Sequence, residues 1–305
     1  MIIDMPDTST RDINRRLIKE REEGGAVALG RVLTLIIDAD AHDPEEAIEA
    51  ANAASREHPC RIIVITERTG DDAASLDAQI RLGGDAGASE VIVLRISGGV
   101  TRHVDTLVMP LLLPDAPIVV WWPYDVPTNP SEHPLGRMAQ RRITDTTTCS
   151  RPTRALRDLA RVYADGDTDL AWTRATLWRG LIAATLDQPP YEPVHHAVVT
   201  GESTHPSVDL MAAWLAHTLR CPVEIERVPG APAITQVLLA RTSGDIVLDR
   251  PDGKTAALRQ PDQPEHRISL PIRQLREYLV EELRRLDADE VYGEVLQKGL
   301  ARIDT

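Results

Sequence analysis

The strongest constraint on the fold is a pair of apolar runs separated by a helix opening near the start of the chain. Val32-Leu33-Thr34-Leu35-Ile36-Ile37 has the length and β-branched content of a strand buried on both faces. Asp43-Pro44-Glu45-Glu46 then supplies an N-cap, a proline at the first helical position and acids in the first turn. The Ala-rich helix it opens ends before His58-Pro59, and a second buried strand runs from Arg61 to Thr66. Two strands joined by a helical crossover pair in parallel, so the chain is α/β from the start.

The same reading extends along the first half. Thr10 caps a helix from Arg11 to Glu23, which Gly24-Gly25 ends. Leu76, Ala78, Ile80 and Leu82 alternate with polar residues, and a further strand runs from Glu90 to Ile96, which predicts two strands about the glycine-rich stretch 83–89. A helix over 100–112, a strand Ile118 to Trp122, a helix around 135–141, a short strand Arg142 to Thr144 and a helix Pro152 to Tyr163 follow. That predicts a sheet of five or six strands.

Asp165-Gly166-Asp167-Thr168-Asp169 is the best boundary signal. Beyond it come a helix Leu170 to Leu186, a Pro-rich hinge Gln188 to Pro193, and a strand, helix and strand at His195 to Thr200, 207–219 and Val223 to Val228. Four closely spaced strand-like runs at 234–241, 245–249, 254–259 and 266–270 imply antiparallel hairpins. Helices at 272–286 and 288–300 close the chain. The expectation is a two-domain α/β protein: residues 1–165 form a mixed, mostly parallel sheet flanked by helices, and residues 166–305 form an α/β domain with antiparallel strands.

Composition narrows the function. The 305 residues carry a formal charge of −13, which repels nucleic acid and anionic membranes. No stretch approaches the ~18 consecutive apolar residues of a membrane span, and Met1-Ile2-Ile3-Asp4-Met5-Pro6-Asp7 lacks the basic start and apolar run of a signal peptide. Cys60, Cys149 and Cys221 have no metal or disulfide spacing. A cytoplasmic protein is expected.

No motif compels catalysis. The 83–89 stretch precedes a strand, whereas phosphate loops precede a helix and use its N-terminus. Gly201 to Ser207 does lie between strand and helix, and Ser203, Thr204 and Ser207 are candidate phosphate ligands; the competing reading is simple capping by Thr204 or Ser207. His195 and His196 point to opposite sides of a strand and suggest no metal site. There is no GxSxG or S-x-x-K motif. No catalytic residue, cofactor or metal is expected.

Two features fit partner binding instead. Trp121 and Trp122 end a parallel strand, on the edge where α/β sheets place functional loops; one is expected in the core and the other either there or at an interface, where Trp is enriched. Arg137, Arg141, Arg142, Arg151, Arg154, Arg157 and Arg161 are opposed only by Asp145 and Asp158. Arg154, Arg157 and Arg161 share one helix face. That face reads either as solvated surface or as a dock for an acidic partner or a phosphate, which suits the forked donors of Arg.

Taken together, Ala28-Leu29-Gly30-Arg31-Val32-Leu33-Thr34-Leu35, the Asp77 to Ser89 stretch, Pro110 to Pro117 running into Trp121-Trp122-Pro123, and Arg141-Arg142-Ile143-Thr144-Asp145 resemble the OpcA family of glucose-6-phosphate dehydrogenase assembly proteins. The resemblance spans nearly the whole chain. It implies a non-catalytic partner that promotes assembly or activation of the NADP-dependent enzyme opening the oxidative pentose phosphate pathway. Cyanobacterial relatives are associated with redox control through cysteines in their C-terminal part, but here no cysteine follows Cys221, so that control is not expected. The alternative reading is a sugar-phosphate-binding enzyme or metabolite sensor.

Overall fold

A computed structural model describes residues 1–23, 32–68, 73–83 and 90–303. In chain order the first elements are β1 (Ile2–Met5), α1 (Thr10–Glu23), β2 (Leu33–Asp38), α2 (Glu45–Ala54), β3 (Cys60–Glu67), β4 (Ser75–Arg81), β5 (Glu90–Ser97), α3 (Val104–Val108), β6 (Ile118–Trp122), β7 (Arg141–Thr144), α4 (Pro152–Val162) and β8 (Asp167–Asp169). Next come α5 (Leu170–Arg174), α6 (Thr176–Leu186), β9 (His196–Gly201), α7 (Pro206–Leu219), β10 (Val223–Arg227) and β11 (Ile234–Ala240). The last are β12 (Ile246–Asp249), β13 (Thr255–Arg259), β14 (His266–Ser269), α8 (Leu275–Leu283), α9 (Glu290–Glu294) and α10 (Leu300–Ile303).

These build two compact units, one of Met1–Asp145, Gly166–Thr168 and Leu275–Ala288, the other of Thr146–Asp165, Asp169–Gln274 and Asp289–Thr305. Helix α4, on the near side of position 165, thus packs within the second unit, and α8, on the far side, within the first.

The first sheet has eight strands in the order β1-β4-β5-β3-β2-β6-β7-β8. The expected crossover is present, with β2 parallel to β3 in the register Leu33↔Cys60 to Asp38↔Ile65. Parallel pairing continues through β5, β6 and β7, while β4 runs antiparallel to β5 and β1 antiparallel to β4. The turn expected at 83–89 lies, beyond Gly83, outside the described residues. One face of this sheet packs Ile36, Ile63, Ile92, Val120 and Trp122 against Ile13 and Leu17 of α1. Helix α2 buries Ala47, Ile48, Ala50, Ala51 and Ala54 and lies along α8.

Two strands exceed the expected five or six. β1 comes from the short start Ile2-Ile3-Asp4-Met5, and β8 from Asp167-Thr168-Asp169, expected to be a polar boundary but buried throughout. The two acids are satisfied internally: Asp167 pairs with Arg142, and Asp169 accepts from Thr146 N (3.0 Å) and Oγ1 (2.9 Å) and from Ala171 N (2.8 Å). The helix expected around 135–141 shrinks to a 3₁₀ turn, Gly136–Met138. A Cβ on Gly136 would lie 1.8 Å from the Pro130 carbonyl oxygen, so this backbone approach is open to glycine alone. The 100–112 helix is broken into 3₁₀ and α turns around Pro110.

The second sheet is ordered β10-β9-β11-β12-β13-β14. Only β9 and β10 are parallel, joined through α7; the remaining pairs are antiparallel. Val199, Val237, Leu239 and Leu248 bury against Trp178 of α6 and Met211 and Leu215 of α7. A further cluster gathers Leu156 of α4, Trp172 of α5, Leu210 of α7 and Tyr292 of α9. The architecture is α/β throughout, a mixed mostly parallel sheet with helices in one unit and a mostly antiparallel sheet in the other.

Candidate functional site

The strand order of the first sheet reverses between β2 and β6. The chain moves from β2 outward through β3 to β5, then returns to lay β6 on the opposite side of β2. Open α/β sheets bind ligands in the crevice outside the carboxyl ends of such strands. Here the strand-end residues are Asp38 and Trp122, brought level by the register Ile37↔Trp121. Trp122 Nε1 donates to Asp38 Oδ2 at 3.1 Å, and Tyr124 Oη donates to the Asp43 carbonyl at 2.8 Å. The protein's own side chains therefore cross the crevice.

The adjacent tryptophans do point to opposite faces of β6, but both are buried, at 0% exposure for Trp121 and 2% for Trp122. Of the two readings left open for the second ring, core or interface, burial of both rings in this chain favours the core. Trp122 also meets the edge of His133, ring centroids 5.3 Å apart at 88°. Trp121 Nε1 has no hydrogen-bond partner among the described residues.

The basic stretch divides in two. Arg141 and Arg142 of β7 are 3% and 7% exposed. Arg141 reaches Glu282 Oε2 at 2.8 Å and the Asp287 carbonyl at 2.7 Å, while Arg142 pairs with Asp167 and donates to the Ala139 carbonyl at 3.1 Å. These two candidate docking residues are structural cations held inside the unit, each engaged by an internal acid. Arg137 is exposed and pairs with Glu132 at 2.7 Å.

On α4 the arginines do face outward. Arg154 and Arg161 are 69% and 78% exposed, each in a long contact with Asp158 (3.6 and 3.4 Å). Thr153, Arg154, Arg157, Asp158 and Arg161 line an open concavity of about 310 Å³. Arg157 is different: it contacts the buried Asp209 carboxylate at 3.3 Å. Arg227 of β10 meets the same carboxylate through Nη2 at 3.0 Å and Nη1 at 3.3 Å. Asp209 escaped the sequence reading, although an acid within the apolar helix 206–219 is the signal of a buried ion pair.

The Gly201 to Ser207 loop turns out to satisfy itself. The Glu202 carboxylate accepts from Thr204 N at 2.6 Å and Thr204 Oγ1 at 3.0 Å. Burial pushes Glu202 up, but the hydrogen bonds from Thr204 and Ser203 outweigh it and hold the carboxyl below the usual carboxylate range. Ser207 Oγ is buried and donates to the Ala171 carbonyl at 2.6 Å, while His205 caps the helix by accepting from Ser207 N at 3.3 Å. The donors of Thr204 and Ser207 proposed for a phosphate are thus engaged by the protein's own acceptors, and an acid sits on the loop. Gly201 is required there for space: an added Cβ would lie 2.5 Å from the Ala233 carbonyl oxygen.

The histidines scatter to separate partners, His195 to Thr242, His196 to Glu224 and His217 to Glu294. Among the described residues no group of three or more His, Cys, Asp or Glu is placed to hold a metal, and no helix is long and apolar enough to cross a membrane. Burial pushes the Cys221 thiol up, away from a reactive thiolate.

No curated protein matches the chain by sequence. Solved structures with some likeness include a glucose-6-phosphate 1-dehydrogenase from Mycobacterium avium, at 11% identity and TM-score 0.47 with 90% of each chain covered. A myo-inositol dehydrogenase from Lactobacillus casei gives 8% identity and TM-score 0.41, covering 90% of this chain and 94% of that one. An oxidoreductase from Thermotoga maritima gives 9% and 0.39, with 90% and 97% covered. Scores this low carry no functional argument. Family models are decisive: residues 51–161 match the glucose-6-phosphate dehydrogenase subunit N-terminal domain and residues 165–296 the corresponding C-terminal domain, and the chain belongs to the OpcA family.

Proposed function

We propose that this chain is a non-catalytic partner of glucose-6-phosphate dehydrogenase, acting in the cytoplasm to favour the enzyme's active, assembled form in the oxidative pentose phosphate pathway. The observation that carries this reading is the match of both halves of the chain to domains described as dehydrogenase subunit domains. The side-chain chemistry supports it. The switch-point crevice is crossed by internal hydrogen bonds, and the strand-to-helix loop after β9 carries its own carboxylate.

A partner shifts an assembly equilibrium only through unequal affinity for its two states. The exposed guanidiniums of Arg154 and Arg161, with Arg137 as a separate surface cation, supply charge complementary to an acidic surface on the assembled enzyme. Arg141 and Arg142 take no direct part in that surface.

The test is titration of this chain into purified dehydrogenase, with activity and the mass of the complex followed together. Activity changes saturably, the oligomer distribution shifts toward the form that carries this chain, and the chain alone turns over no sugar phosphate. Absence of both co-elution and a kinetic effect over a wide concentration range rejects the proposal.

A further inference from the structure

The internal contacts at the reversal between β2 and β6 form a cluster of titratable groups around one hydrogen bond. Asp38 and Trp122 are joined at 3.1 Å. Asp40, in the left-handed region at φ 48°, lends its N–H to the Asp38 carboxylate. Its carbonyl is fixed by Thr66 Oγ1 at 3.0 Å and Glu67 N at 2.8 Å. On the β6 side His42 stacks on Tyr124 at 4.8 Å and lies 3.7 Å from the Asp125 carboxylate.

The charges acting on Asp38 are those of Asp40 in its own loop and Glu67 at the end of β3, both negative. From β6 it meets the neutral indole of Trp122. Behind that indole stands His133, whose imidazole burial pushes down and Asp105 pulls up. Burial, with repulsion from Asp40 and Glu67, raises the Asp38 carboxyl to about 6 against the pull of its two hydrogen bonds.

We propose that the Asp38–Trp122 contact is a proton-operated latch: uptake of a proton by Asp38 turns a charge-assisted hydrogen bond into a neutral one and loosens the tie between the ends of β2 and β6, while the Trp122 ring stays packed in its core cluster. A hydrogen bond to an ionised acceptor is roughly twice as strong as one to a neutral acceptor. The latch weakens while the unit gains stability, because the same proton relieves a desolvated charge. The inference concerns this chain alone and does not depend on the dehydrogenase reading.

The experiment follows the indole N–H signals of the intact protein by nuclear magnetic resonance between about pH 5 and 8, a range spanning ordinary His and raised carboxyl titrations. The Trp122 signal is identified by its loss in Trp122→Phe. It shifts with a midpoint near 6. In Asp38→Asn it stays flat at its low-pH position. Asp40→Asn keeps a residue that tolerates the left-handed backbone and the N–H donor but removes one negative charge, and it moves the midpoint to lower pH. A flat Trp122 signal in the unmodified protein, or titration that persists in Asp38→Asn, overturns the latch. Should Asp38→Asn fold poorly, an unchanged midpoint in Asp40→Asn overturns it equally.

Discussion

Arg142 and Arg154 belong to one basic stretch and one residue type, yet they do opposite work. Arg142, on a strand inside the first sheet, has its guanidinium engaged by Asp167 and the Ala139 carbonyl. Arg154, on the outer face of α4, makes a long contact with an exposed acid among the described residues. The difference lies in what the backbone does around each. A strand covered on both faces takes its side chains into packed layers, where a cation survives only with fixed acceptors. A helix with one apolar stripe leaves its other face to water. Local charge surplus therefore does not by itself mark a docking surface; the element that carries each charge decides.

The largest expected effect tests the inner class. Arg141→Leu removes the guanidinium that Glu282 and the Asp287 carbonyl share. Breaking a buried pair from one side costs about 3–5 kcal/mol, seen as a lower midpoint in urea denaturation. If stability is unchanged, the inner class is not structural and the comparison fails.

Asp38 is an inner acid of the opposite sign and gives a stabilising change. Its folded value, about 6, lies above the ordinary 3.8. Well above 6 the carboxylate is ionised in folded and unfolded chains alike, and the folded state bears the cost of burial. As the pH falls from 6 toward 3.8 only the folded state takes up the proton, so stability rises. Asp38→Asn should therefore be more stable than the parent near neutral pH, by up to about 3 kcal/mol, with the gap closing toward pH 4. A gap that does not close assigns the stabilisation to another cause.

Much of this was legible in residues. The apolar runs at 32–37 and 61–66 define β2 and β3 because β-branched residues flanked by turn chemistry leave few alternatives. Spacing alone also indicated the antiparallel set β11 to β14. What escaped reading were short elements whose partners come from far along the chain. Asp167-Thr168-Asp169 looks like a linker until Thr146 and Ala171 supply donors to Asp169. Arg141 looks like surface until Glu282 approaches it. Asp38 is only the polar end of an apolar run, and its place beside Trp122 depends on the strand order, which sequence spacing leaves open. The Trp pair illustrates the limit from the other side: alternation assigns opposite faces, but burial depends on what covers each.

Arg157 stands between the two classes, a third exposed yet in contact with Asp209. Arg157→Ala should cost about 1.5–3 kcal/mol, the range for hydrogen bonds to charged groups. Arg227 still meets the same carboxylate through two nitrogens, which keeps the loss below that of Arg141→Leu. A double-mutant cycle with Arg227→Ala measures how far the two guanidiniums depend on one another. Additive losses would mean that Asp209 is held by each independently.

The smallest change in stability is expected at the outer class. Reversing Arg154 and Arg161 to Glu places acids beside Asp158 on a solvated face and should alter folding free energy by no more than about 0.5 kcal/mol for each substitution. Binding to the dehydrogenase should nevertheless weaken, chiefly through slower association, because exposed charges steer encounter more than they hold a complex. Salt should weaken binding of the unmodified chain and have less effect on the double variant, since exposed charges are screened beyond about 8 Å at physiological ionic strength. Arg157 is left intact here, for a reversed charge would face the buried Asp209 and confuse binding with unfolding. Equal association rates and equal salt slopes for the two proteins, with intact folding, would show the α4 face to be ordinary solvated surface and move the docking site elsewhere.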